Sequence, residues 1–164
     1  MDYLWSPWRY QYVTTTRSAS ACIFCDFAAS SNDEENLVVY RGERNFIVLN
    51  RFPYTTGHLM IVPYEHVDML EAASAETVQE MILLARKAQK RLGEIYRPSG
   101  YNLGMNLGES AGAGIAGHIH MHVLPRWSGD TSFLTTVAET RVLPEELSET
   151  WRKLRTGFDS PHGG

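Results

Sequence analysis

The chain has only two cysteines in 164 residues, Cys22 and Cys25, in a C-x-x-C spacing. No disulfide framework can be built from so few thiols. The pair therefore reads as metal ligands or a redox dithiol in a cytoplasmic protein. No apolar run approaches the roughly 20 residues that a membrane helix needs, so no membrane partner is expected. The opening Met1-Asp2-Tyr3-Leu4-Trp5 has an early acid and no long apolar stretch, so no secretory signal is expected either. Net basic charge is also lacking: 15 Lys and Arg stand against 19 Asp and Glu, giving −4. Such a balance offers no field to gather a nucleic-acid polymer. There is no P-loop lysine signature, no internal repeat and no recurring βαβ unit, which leaves P-loop and Rossmann arrangements without support.

Histidine, by contrast, is concentrated. Three of the six histidines fall within Gly117-His118-Ile119-His120-Met121-His122-Val123-Leu124-Pro125. The period of two predicts a β-strand with His118, His120 and His122 on one face and Ile119, Met121 and Val123 on the other. The apolar face suits a core, and the imidazole face suits a cleft. Feeding into this stretch is a loop, Gly108 to Gly117, rich in glycine and alanine. Its glycines, Gly112 and Gly114 among them, let backbone approach a ligand, and exposed N–H groups can form an anion-binding concavity.

Taken in order, residues 1–20 form an aromatic arm containing Trp5, Trp8, Tyr10 and Tyr12. So many aromatics suggest docking on the body or on another subunit, with substrate contact the alternative. Asn32 to Glu35 reads as an acidic loop. Leu37 to Tyr40, Phe46 to Leu49, His58 to Pro63 and Tyr101 to Leu107 read as strands, the first two split by the turn Arg41-Gly42-Glu43-Arg44. Ser74 is a plausible N-cap for a helix over Ala75 to Tyr96, where Val78, Met81, Ile82, Ala85, Ala88, Leu92 and Ile95 recur at helical spacing. The helix's basic residues, Arg86, Lys87, Lys90 and Arg91, read as a solvated face. Trp127 to Asp130 reads as a turn and Pro144 to Leu154 as a terminal helix. The order of elements predicts an α+β fold with a mainly antiparallel five-stranded sheet. The main domain is expected over 21–158, followed by a disordered tail at 159–164.

The chemistry follows from the imidazoles. A neutral imidazole is a good nucleophile near pH 7 because its ordinary pKa is about 6.5. Attack on phosphorus gives a phospho-imidazole and splits one hard displacement into two easier ones. Neighbouring imidazoles and backbone N–H groups can hold phosphate oxygens and protonate the leaving oxygen.

The run His118 to Leu124 resembles the signature of the histidine triad (HIT) family of nucleotide hydrolases and transferases. The likeness spans roughly Leu37 to Asp130, through Leu49-Asn50, Gly57 to Pro63 and Asn106-Leu107-Gly108. Trp5-Ser6-Pro7-Trp8-Arg9 and Pro125 to Asp130 are similar to the family's longer bacterial branch, which is itself similar to fragile-histidine-triad proteins and diadenosine tetraphosphate phosphorylases. The resemblance implies His120 as a nucleophile nucleotidylated at the α-phosphorus, with His122 and His58 on phosphate oxygens. It implies Asn50 on the ribose, Asn106 near the phosphates, and Phe46 and Leu49 beside the base. It implies a structural zinc on Cys22, Cys25, His66 and His118, an adenine nucleotide as ligand, and a homodimer that continues the sheet. Where many relatives have Gly-Gln-Ser or Gly-Gln-Thr, this chain has Ala113-Gly114-Ile115, which leaves phosphate binding to backbone N–H groups and Ser110. The substrate implied is a diadenosine polyphosphate. Either water or inorganic phosphate could be the acceptor, and a non-catalytic nucleotide sensor or a zinc-organised interaction module are the alternatives.

Overall fold

In this computed structural model the described residues are 22–130 and 143–158. The aromatic arm and the tail fall outside them. Five strands form one antiparallel sheet: β1 (Val38–Arg41), β2 (Asn45–Leu49), β3 (Leu59–Pro63), β4 (Gly100–Met105) and β5 (Met121–Arg126). Their order across the sheet is β1-β2-β3-β5-β4. The helices are α1 (Ile23–Ala29), α2 (Asp33–Asn36), α3 (Ala75–Tyr96) and α4 (Leu147–Phe158).

Both faces of the sheet are buried over β2 and β3, because alternate residues feed two apolar clusters. Ile47, Leu49, Leu59 and Ile61 pack with Met81, Ala85, Ala88 and Leu92 of α3. Phe46, Val48, Met60 and Val62 pack on the other face with Phe24 of α1. This accounts for strands that read as continuous apolar runs.

α3 has the bounds expected. Ser74 Oγ accepts from Thr77 N–H at 3.3 Å, capping its start. Arg97, left-handed at φ 47°, ends it just before Pro98, where the helical conformation is disfavoured. α4 begins and ends later than its sequence suggests. Phe158 packs against the Tyr40 ring at 5.5 Å, so a tertiary contact carries the helix past Leu154. The basic residues of α3 are more than a solvated face: Lys87 Nζ lies 3.7 Å over the Tyr40 ring, and Arg91 donates to the Lys153 carbonyl at 2.5 Å.

The segment 23–36 contains two short helices, the second overlapping Asn32 to Glu35, which reads as an acidic loop; the C-x-x-C pair lies at the start of the first. Arg41 explains how they hold. Its guanidinium donates to the carbonyls of Phe27, Ala28 and Ser30 at the end of α1, and to Asp33 Oδ1 in α2. Two of the carbonyls left open at the end of a seven-residue helix are thereby satisfied by one side chain.

Candidate active site and metal centre

The histidine alternation survives in three dimensions, although the ladder is shorter than the pattern. β5 pairs with β3 only from Ile61↔Met121 to Leu59↔Val123. Tyr64 N–H turns toward β2, where it donates to the Arg44 carbonyl. The N–H of residue 63 would point the other way, toward β5, and proline has none, so the ladder stops. Beyond that point His118, Ile119 and His120 run on outside the ladder. Ile119 N–H donates to the Val67 carbonyl at 2.8 Å, and His118 Nε2–H donates to the Pro63 carbonyl at 2.9 Å. Ile119, Met121 and Val123 still face the α3 cluster. The three imidazoles face the other way.

The imidazole face is not an open row. His58 and His118 are fully buried, His120 keeps 5% of its surface exposed, and His122 is half-buried. Of the triad rings, His122 is thus the most exposed.

The hydrogen bonds assign the proton on each ring. Tyr54 N–H donates to His58 Nδ1 at 3.2 Å, and Asn50 Nδ2 lies 3.3 Å from the same nitrogen. A nitrogen that accepts carries the lone pair, so the His58 proton sits on Nε2. His58 Nε2–H then donates to His122 Nδ1 at 2.8 Å, which places the His122 proton on its own Nε2. His120 Nδ1–H donates to the His118 carbonyl at 3.0 Å, leaving the Nε2 lone pair free to attack. Burial, followed by the facing His122 and His120, holds His58 down at about 3. Burial, followed by His120, holds His122 at about 4. Burial lowers His120 as well, against the opposing bond to the His118 carbonyl. All three rings are neutral at pH 7, the state that both a nucleophile and a neutral proton donor need.

Asn50 Oδ1 accepts from Phe52 N–H at 2.9 Å while its amide faces His58, and each end keeps a further hydrogen-bonding position. Phe46 and Leu49 depart from the roles expected of them. They sit in different clusters on opposite faces of β2 and are buried, so together they cannot flank a base. Their odd spacing along a strand is the cause. Asn106 is half-buried, and Ser110, Gly112 and Gly114 are exposed on the loop leading into His118.

On the far side of His118 lies the second constellation. The ligand atoms of Cys22, Cys25, His66 and His118 all fall within 4.8 Å of one another. His118 Nδ1 is 3.3 Å from Cys22 Sγ, 3.7 Å from Cys25 Sγ and 3.2 Å from His66 Nδ1, and Cys25 Sγ is 3.2 Å from His66 Nδ1. Ligands about 2.0–2.3 Å from a tetrahedral zinc stand roughly 3.3–3.8 Å apart, so the donor set fits such an ion. Donation from His118 Nε2–H to Pro63 leaves Nδ1 unprotonated and facing the cluster, the outer-sphere bond that metal-bound imidazoles use. Burial and the facing Cys22 push the Cys25 thiol up, and a cation bound at the cluster would favour its thiolate instead.

Several positioning residues escaped the sequence. Glu65 accepts from Ser74 N–H and Thr77 Oγ1–H, which pins the segment carrying His66. Tyr54 orients His58. Phe24, between the two cysteines, lies against two of the histidines. Only Phe24 had a usable signal, as an apolar residue enclosed by ligands.

Fold and site together define a single antiparallel sheet that carries neutral imidazoles beside a Cys/His metal-binding cluster. The chain belongs to the HIT domain family, which matches residues 31–129. It is 40% identical over 161 residues to a Mycobacterium tuberculosis protein named AP-4-A phosphorylase, covering 93% of this chain and 82% of that one. Over 95 residues it is 27% identical to an asymmetrical bis(5'-nucleosyl)-tetraphosphatase of Schizosaccharomyces pombe, 58% of this chain and 52% of that one. The crystal structure of a Zn-bound histidine triad family protein from Mycobacterium smegmatis superposes with TM-score 0.69 at 29% identity, covering 86% of this chain and 95% of that one.

Proposed function

We propose that the protein cleaves diadenosine polyphosphates, diadenosine tetraphosphate foremost, through a nucleotidyl intermediate on His120. The observation that carries this is the proton assignment: a lone pair on His120 Nε2 and a proton on His122 Nε2, with rings 4.9 Å apart. His120 Nε2 attacks the α-phosphorus and forms a P–N bond as the anhydride P–O bond breaks. The His122 Nε2 proton goes to the departing oxygen, and His58, donating to the other nitrogen of His122, holds that ring in the right tautomer. Backbone N–H groups of the loop at Gly114, together with Ser110 and Asn106, face the phosphates, while the Gly112 N–H is held by the Glu109 carbonyl. An acceptor oxygen then attacks the phosphorus, restores His120 and returns a proton to His122. The mycobacterial relative supports inorganic phosphate as that acceptor.

Zinc on Cys22, Cys25, His66 and His118 has four protein ligands and no open position, which supports a structural role. When bound it would fix His118, two residues from the nucleophile. Thiolate ligands persist in a reducing compartment, which supports a cytoplasmic protein. No helix among the described residues is long and apolar enough to cross a membrane. A homodimer through the β4 edge is supported by that strand's terminal place in the sheet and by Leu103, 48% exposed on it.

Incubation with diadenosine tetraphosphate, with and without phosphate, tests the reaction. ADP plus ATP formed only with phosphate is the outcome expected. ATP plus AMP without phosphate makes water the acceptor. No turnover, and no adenylylated His120 in quenched wild-type enzyme, leaves only a binding protein.

A further inference from the structure

We infer that Phe24 is a positioning residue for the nucleophile, which rests on His120 being the group that is nucleotidylated. Phe24 is 1% exposed, and its ring centroid lies 5.1 Å from that of His120, tilted at 53°. The same ring meets His118 edge-on, with centroids 5.4 Å apart and planes at 76°. One side chain thus wedges two imidazoles that stand two residues apart. The Nδ1–H bond to the His118 carbonyl holds one edge of the His120 ring but leaves rotation about that bond open. Phe24 supplies the lateral wall that stops it. Aromatic pairs at this separation prefer tilted or edge-on geometry, so the contact selects an orientation as well as filling space.

The origin of the wall also matters. Phe24 stands between Cys22 and Cys25, on the first turn of α1, so whatever fixes the two sulfurs fixes the ring. Arg41 fixes the other end of the helix through the carbonyls of Phe27, Ala28 and Ser30. The Cys/His cluster is therefore linked to the nucleophile by two routes: along the chain from His118, and through the face of Phe24.

The test compares Phe24→Leu with Val38→Ala in the metal-loaded full chain. Val38 is buried in the same apolar cluster, on the outer strand. Both variants lose packing, so thermal midpoints should fall in both. Phe24→Leu should slow single-turnover adenylylation of His120 at saturating diadenosine tetraphosphate by about tenfold or more, because small misplacements of a reacting group are costly. Its KM should stay within about twofold, and its metal content should match wild type. The His120 ring-proton resonances should shift as the Phe24 ring current is lost. Val38→Ala should keep the wild-type adenylylation rate and the wild-type His120 resonances. Phe24→Leu at wild-type rate, or equal slowing by Val38→Ala, overturns the inference while adenylylation itself stands. Absence of any His120 adduct in wild type removes the underlying reaction as well.

Discussion

His58 Nε2 lies 2.8 Å from His122 Nδ1, and both rings are buried enough to remain uncharged at neutral pH. This bond decides which nitrogen of His122 carries a proton toward the substrate. His58 is held in turn by Tyr54 N–H and Asn50, so the tautomer of the donor is set by a turn rather than by the triad itself.

His58→Phe removes that donor and leaves His122 free to take either tautomer. The rate of P–O cleavage should fall by about 10²-fold, the lower end of what a general acid contributes. Metal content should stay at the wild-type level. Quenched-flow measurement of nucleotide release checks this. Cleavage at the wild-type rate removes His58 from the relay.

The same histidines make stability depend on pH. His58 titrates at about 3 and His122 at about 4 when folded, whereas in an unfolded chain each titrates near 6.5. Below pH 6.5 the unfolded chain therefore binds more protons, and stability rises with pH. Their contribution is complete above about 6.5 and is lost as pH falls toward 4, then 3. Each histidine accounts for a slope of up to about 1.4 kcal/mol per pH unit. Urea unfolding of wild type and His58→Phe between pH 6.5 and 4.5 should show the shallower slope in the variant. Parallel lines contradict the assignment.

Metal analysis of the purified protein should give one zinc per chain. A ligand present at several hundred to a thousand times its Kd adds about 3–4 kcal/mol. At this chain length, chelation should then lower the thermal midpoint by roughly 6–16 °C. Cys25→Ser should lower both the midpoint and the zinc content. An unchanged midpoint after complete chelation contradicts a structural role.

Gly57 precedes His58 with φ +78°, and a Cβ there would meet Leu92 Cδ2 at 2.9 Å and the Tyr96 ring at 3.3 Å. Gly57→Ala strains the backbone and presses on α3, so it should destabilise by about 1–3 kcal/mol. Denaturant midpoints measure this. A neutral result means that the helix yields.

Leu103→Lys places a charge on the exposed edge strand. Light scattering should give a dimer for wild type and a smaller mass for the variant. A monomeric wild type removes the proposed assembly.

Much of this was readable from the chain because it depends on local periodicity. The alternation from His118 to Val123 fixes which side chains share a face, whether or not a ladder forms there. The 3.6-residue spacing of Met81, Ala85, Ala88 and Leu92, with Ser74 before it, defines α3 to the residue. The C-x-x-C pair gave half of a ligand set and the resemblance to the HIT family implied His66 and His118 as the rest; the four ligand atoms lie within 4.8 Å of one another.

Other features were hidden because contacts between distant segments create them. α1 is held at its end by Arg41, on a strand, which takes the Phe27 and Ala28 carbonyls, and no helical period within seven residues could announce that. Leu49 was assigned to a base and faces α3 instead, since three steps along a strand reverse the face.

The sequence by itself determined the strands, the long helix and the shared face of the imidazoles, because each depends on near-neighbour spacing. Only the tertiary structure decided the protonated nitrogen of each ring, the depth of burial of the triad and the aromatic wall on His120. Those properties are set by what a side chain meets from elsewhere in the chain: a hydrogen-bond partner fixes a tautomer, and lost hydration fixes a charge.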